Sequence, residues 1–442
     1  MFPVIFRLVQ RVATARALAL PLCMALLVGC ASCAHAQAQT KAPDRLDFDQ
    51  ALRLSQTRSR QLSGQDRATA AAREMALAAG QRPDPVLKIG INNLPVDGPD
   101  RLSVTRDFMT MRSVGLMQEF TREDKRLARA KRFEQEAQAS EAMRELALAN
   151  LRRDTAMAWL ARYYQERTLA LVQSQREEAR LQIEAAQAAY RGGKGSQVDV
   201  ISARAAWAQM DDRVAQTERM VASARTQLAR WTGDAFDKPL GTAPDLGQLN
   251  LHEANLDDAL IGHPDITLMA KQEEMTQADA DIARSNKQAD WSVELMLSQR
   301  GPGYSSMASL NVSLPLQWDQ KDRQDRELAA KLALADQMRA QREEARREHL
   351  AQLTTWLQEW HSGLERLVRY DKTLIPLTTE RTQAALAAYR GGSGTLSSVL
   401  EARRIELDAR TDSLRLEMDT ARVWVQLNFL NVADTHESAP RP

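Results

Sequence analysis

The chain has 442 residues, with 59 Lys and Arg against 58 Asp and Glu, so no bulk excess of either sign marks it for nucleic acid or an acidic substrate. Aromatic residues make up only 5% and charged residues 26%, the mixture of long or coiled helices rather than of a compact mixed core. After the N-terminus no uninterrupted apolar run reaches the roughly eighteen residues of a membrane-spanning helix.

Residues 1–36 read as an export signal: Arg7, Arg11 and Arg16 precede an apolar run from Ala17 to Gly29 that is too short to span a bilayer. Two cleavage sites compete. Leu27-Val28-Gly29-Cys30 reads as a lipobox that would leave Cys30 acylated, and Ala34-His35-Ala36 reads as an ordinary signal-peptidase site. Cys23, Cys30 and Cys33 are the chain's cysteines, so the body beyond them carries neither a disulfide framework nor a thiol site.

The body is a tandem duplication. AAYRGGKGSQVDVISAR at 188–204 matches AAYRGGSGTLSSVLEAR at 387–403, an offset of 199 residues with 10 identities in 17 positions. More weakly, Phe48–Leu52 resembles Leu256–Leu260. The repeats are expected at 44–235 and 250–432, with a disordered tail at 433–442.

Each half reads as helix, strand pair, very long helix, tight turn, long helix. Leu46 to Gln81 is predicted helical, ended by Pro83 and Pro85. Strands are predicted at 86–92 and 112–120, where Leu87, Ile89 and Ile91 alternate with Lys88, Gly90 and Asn92. In the second half Trp291, Val293, Leu295 and Leu297 alternate with polar or small neighbours over 291–299. Leu310, Val312, Leu314 and Leu316 do the same over 307–317. Such alternation fits an ordinary half-buried hairpin. It also fits a wall with lipid on one side and water on the other. Four strands cannot close a barrel alone, so the second reading requires several chains to share one.

Thr121 to Tyr190 lacks proline and predicts a rod of about 100 Å at 1.5 Å per residue. Its apolar residues, Leu127, Ala130, Phe133 and Ala137, fall three or four apart. Leu400, Leu407, Leu414 and Ala421 fall seven apart, as in a coiled coil. Trp318 to Tyr389 is the matching rod, with a kink or broken ladder expected at Pro376.

Export signal, duplicated halves, hairpins leading into long rods and paired Tyr-Arg-Gly-Gly turns together resemble the TolC family across residues 44 to 432. Asn93-Leu94-Pro95, the stretch from Arg106 to Phe120, and Lys125-Arg126 look like its heavy-metal, CzcC-like branch. The resemblance implies a mainly α fold with a small antiparallel β part. Helical hairpins would form a periplasmic α-barrel, and four strands per chain would join a trimeric twelve-stranded barrel in the outer membrane. It implies a homotrimer in outer-membrane lipid, working with a periplasmic adaptor and an inner-membrane RND pump, and passively exporting heavy-metal cations; organic compounds are the alternative cargo.

The turns at 190–196 and 389–395 are expected at the periplasmic tip. Tyr190, Arg191, Gly192, Gly193, Lys194, Gly195, Tyr389, Arg390, Gly391, Gly392 and Gly394 then cap helical hairpins, and the resemblance adds adaptor contact. By the same resemblance, Asp199, Ser202, Ser398 and Glu401 fall where the family rings its entrance with acids; here only Asp199 and Glu401 are acidic. As helix-start carboxylates they are equally accounted for by the helix dipole.

No enzyme or cofactor site is legible. His35, His252, His263, His349, His361 and His436 lack metal-binding spacing, and the tip glycines lack the Lys-Ser/Thr of a phosphate loop. Met109 and Met111 offer soft sulfur two residues apart, a pair equally suited to packing. A periplasmic coiled-coil scaffold or adaptor is the rival reading. It accounts for the rods but not for two full hairpins with strands at the opposite end.

Overall fold

A computed structural model describes residues 45–249, 256, 260 and 262–429. The export segment with Cys30 and the tail at 433–442 lie outside the described residues. Helices α1 (Phe48–Arg58) and α2 (Arg60–Ala79) lead to strands β1 (Val86–Asn92) and β2 (Met111–Phe120), then to α3 (Glu123–Arg191) and α4 (Gln197–Thr232). The second half runs α5 (Pro264–Ser285), β3 (Trp291–Gln299), β4 (Met307–Ser313), α6 (Gln324–Arg369), α7 (Ile375–Arg390) and α8 (Leu396–Asn428).

Three local differences from the sequence reading stand out. The expected helix from Leu46 to Gln81 is two: Ser59 takes an extended ψ of 113° and its Oγ accepts the Leu62 N–H, starting α2 afresh. β4 stops at Ser313 rather than 317, because Pro315 has no N–H for the ladder. The second rod begins at Gln324, not Trp318. Near Pro376 the regular i→i−4 ladder is interrupted: Tyr370–Leu374 widen into a π turn in which the Ile375 N–H reaches the Tyr370 carbonyl. The missing proline N–H is absorbed one turn upstream.

The rods pack closely because their buried faces are largely alanine. Ala137, Ala142, Ala149, Ala156, Ala179 and Ala186 on α3 are all buried, and side chains this small let helix axes approach. Leu127, expected on the seam, is instead exposed in the single chain. At Gly363, α6 and α8 approach closely. A Cβ built on Gly363 would lie 3.1 Å from Thr420 Cγ2 and closer still to its Oγ1, which donates to the Leu416 carbonyl. Gly363→Ala therefore loses about 1–3 kcal/mol to overpacking despite its better helix propensity, and Gly363→Ala with Thr420→Ala recovers most of it. Urea midpoints of the three variants check this.

The main core sits midway along the rods, where the linker between the halves crosses them. Trp159, Phe48, Tyr164, Leu228, Trp360 and Trp424 centre it, with Phe48 edge-on to Trp159 at 5.5 Å. Three indoles fasten backbone that lies outside the helices and strands. Trp159 Nε1 donates to the Leu46 carbonyl (3.0 Å), Trp360 to Leu246 (3.0 Å) and Trp424 to Gln248 (2.7 Å). Arg162, 1% exposed, donates to the carbonyls of Phe236 and Lys238 and pairs with Glu166. A short parallel bridge, Leu46 to Leu240, completes the belt.

Candidate functional site

The four strands form one continuous antiparallel sheet in the order β1-β2-β3-β4. The duplicated hairpins are joined through β2 and β3, where Arg112 faces Gln299 and Phe120 faces Trp291. The register sorts the side chains by chemistry. On one face Leu87, Ile89, Val114, Leu116, Leu295 and Leu310 align across the strands, and all six are exposed. On the other lie Lys88, Asn92, Ser113, Glu294, Asn311 and Ser313, with Lys88 Nζ 2.9 Å from Glu294. An apolar face this extensive, left in water, would be an aggregation surface. β1 and β4 each keep one edge unpaired within the chain. Phe120 and Trp291 stack at 4.4 Å at the end leading to the rods, and Trp318 stands exposed beside them. The opposite end carries exposed Phe108 and Tyr304. Where β2 leaves the sheet, Lys125 Nζ meets Asp290 at 2.7 Å, and the other Asp290 oxygen accepts the Arg122 N–H, tying the two halves.

At the far ends of the rods the two turns are built bond for bond alike. Gly192 N donates to Ala188 O (3.0 Å), and Lys194 N and Gly195 N both donate to Ala189 O. Gly391, Ser393 and Gly394 repeat this on Ala387 and Ala388. Gly193 and Gly392 hold φ of 65° and 75°, where a side chain is strained. Gly195 and Gly394 pack so near the preceding helix that a Cβ would lie 3.1 and 3.0 Å from an alanine Cβ. One small cluster (Ala186, Val200, Ala203, Leu396 and Val399) brings the two turns together. They differ at the tyrosines: Tyr389 packs on that cluster, whereas Tyr190 is half exposed, near exposed Val198 and Ile201. Arg191, Lys194 and Arg390 are exposed.

The acidic candidates have separate settings. Asp199 closes a capping box with Ser196, its carboxylate accepting the Ser196 N–H at 2.9 Å. Ser398, its counterpart, bonds to Thr395 instead. Glu401 is exposed, 3.9 Å from Arg381, and Ser202 is half-buried.

Sequence spacing gave no warning of one pair. His263, at the N-cap of α5, and His349, on α6, bring their rings to 4.4 Å. His349 Nε2 lies 2.9 Å from Asp265, whose backbone N–H donates to His263 Nδ1. Eighty-six residues separate the two histidines, and only the crossing of α5 and α6 unites them. No group of three or more His, Cys, Asp or Glu able to hold a metal occurs among the described residues.

Burial, then repulsion from His349, pushes the His263 pKa down to about 4, with Asp265 opposing. The unfolded chain, with a histidine pKa of about 6.5, thus binds more protons between those values. The contribution of His263 is complete above about pH 6.5 and fades as pH falls toward 4, by up to ~3 kcal/mol. His263→Asn, which keeps a capping side chain, is expected to lose less stability than wild type between pH 7.5 and 4.5 in paired urea titrations.

Duplicated halves, a single four-stranded sheet and long helical hairpins closing in paired tips define the fold of TolC-type outer-membrane channels. The outer-membrane channel OprN superposes with a TM-score of 0.72 at 18% identity, over 87% of this chain and 89% of its own. VceC from Vibrio cholerae superposes at 0.70 and 17%, over 87% and 95%. CusC superposes at 0.73 and 15%, over 88% and 93%. No protein-family model matches the chain, and comparison with curated proteins gave no match.

Proposed function

We propose that the chain is one third of an outer-membrane exit duct: a homotrimer whose three sheets close a twelve-stranded barrel, with the hairpins forming a tunnel below it in the periplasm. The sorting of the sheet into an apolar and a polar face carries this reading. Twelve is an even strand number inside the range of known barrels, and closure would pair the free edges of β1 and β4. The polar face, with its Lys88–Glu294 pair, would line the water-filled lumen. The duct carries no energy source, so an inner-membrane RND pump and a periplasmic adaptor would drive and open it. The adaptor would dock at the tips, where Tyr190, Val198 and Ile201 leave apolar surface exposed beside Arg191 and Lys194. Asp199 and Glu401 of three chains would put six carboxylates near the entrance, favouring cations.

Fractionation tests the duct. The protein is expected to remain with outer membrane through urea washing and to form conducting pores in planar bilayers; release by urea with no conductance overturns the reading in favour of a scaffold. For cargo, we propose heavy-metal cations. A strain lacking the protein is expected to grow poorly on one or more of zinc, cobalt, cadmium, copper and silver, with dyes and detergents tolerated. The reverse pattern overturns metal export and leaves the duct.

A further inference from the structure

Between the paired tips and the belt of tryptophans, α8 draws away from the α3–α4 hairpin and leaves a cavity of about 430 Å³. It belongs to a single chain. Ala179, Met210, Leu400 and Leu407 give it an apolar floor; Gln182, Arg213, Arg403 and Arg404 give it a polar rim that also carries Glu401, whose carboxylate lies 3.9 Å from Arg381.

Two polar groups there have no partner. Gln182 is only 8% exposed, yet its Oε1 accepts no hydrogen bond. Arg403 binds Glu178 through its Nη1, but its Nε, buried, donates to nothing. A buried group left unsatisfied costs about 1–3 kcal/mol, so two such groups lining one cavity favour a ligand that offers a donor to Gln182 and an acceptor to Arg403. The charge around them is unevenly spent. Arg213 is answered by Asp408 at 3.4 Å, whereas Arg404 has no ion pair among the described residues. Burial also pulls the Arg403 guanidinium below its ordinary value, against the opposing influence of Glu406, and a nearby anion would reverse that.

We infer that this cleft binds a small amphipathic organic anion: an apolar body on the Ala179–Leu407 floor, an acid group at Arg403 and Arg404, and a hydroxyl or amide N–H donated to Gln182. The volume matches one or two fused rings, within the range of ordinary ligand sites. The occupant would touch both hairpins at once and so hold α8 against α3 and α4. The inference stands independently of the chain's reading as a duct, since every contributing residue comes from one chain.

Calorimetric titration of the purified full-length protein with three matched probes tests each part. 6-Hydroxy-2-naphthoate is expected to bind once per chain. 2-Naphthoate, lacking the hydroxyl, should bind about fivefold more weakly, and 2-naphthol, lacking the acid, at least tenfold more weakly. Gln182→Leu is expected to abolish the advantage of the hydroxylated acid over 2-naphthoate. Arg404→Ala, at an exposed position where misfolding is not at issue, should weaken both acids at least fivefold. Absence of binding at millimolar probe, or affinities that neither substitution changes, overturns the site.

Discussion

Leu295→Arg is expected to strip the protein from the outer membrane, while Met296→Arg, one residue along, leaves it there. Leu295 stands mid-sheet on the apolar face, flanked by Leu116 on β2 and Leu310 on β4. Arginine at such a depth costs about 2–4 kcal/mol, and a trimer would incur it three times. Met296 faces the other way, in line with Gly115 and Ser309 near Glu294, where a cation meets water and a carboxylate. Urea-resistant membrane content of the two variants reads the difference. Equal loss in both would refute a lipid-facing wall, because such a wall penalises a charge only on its apolar face.

Arg162→Leu should be the most damaging single change in the helical region, lowering stability by about 3–5 kcal/mol. The guanidinium joins three groups: the carbonyls of Phe236 and Lys238, and Glu166, which also binds Arg225 at 3.0 Å. Removing the buried guanidinium takes a donor from two part-buried carbonyls and leaves Glu166 to Arg225 alone, and breaking an ionic network around a buried charge falls in that range. Arg162→Lys is expected to recover only part, because an ammonium cannot reproduce the fork that spans the two carbonyls. The check is a urea midpoint for each variant, with limited proteolysis of the linker at 233–249. Preferential cutting there in Arg162→Leu locates the damage at the belt.

Much of this architecture is written in local pattern. The period-two alternation of Trp291 to Leu297 marks β3 and its face. The repeated Tyr-Arg-Gly-Gly segments mark two turns that prove alike in their backbone hydrogen bonds, because glycine is needed at the same two strained or crowded places in each. What stayed hidden depends on distance or on backbone partners. Leu314 and Leu316 continue the alternation, yet a single missing N–H at Pro315 ends the strand before them. Trp159, Trp360 and Trp424 look like ordinary core residues until their N–H groups find backbone carbonyls: Trp159 that of Leu46, and Trp360 and Trp424 those of a linker whose sequence carries no sign of being held. His263 and His349 likewise have no shared spacing. At the tips the residue types were legible and their division of labour was not: Asp199 serves its own helix start, and Tyr190 and Tyr389, identical in sequence context, differ in exposure.

The pairing of β2 with β3 also dictates an order of events. Each helical hairpin closes through a turn of a few residues, a step on the microsecond scale. The sheet has to wait for partners as remote as Arg112 and Gln299. Loop closure over that length delays strand pairing, and topologies rich in such contacts are slow. On the duct reading, newly made chains should therefore pass through a stage in which the rods are formed while Leu87, Ile89, Leu295 and Leu310 await a sheet, let alone a bilayer. During that interval the strands are an exposed hydrophobic liability in an aqueous compartment, and the biogenesis of this protein is expected to depend on escorts that shield unpaired strands more than on any aid to helix assembly.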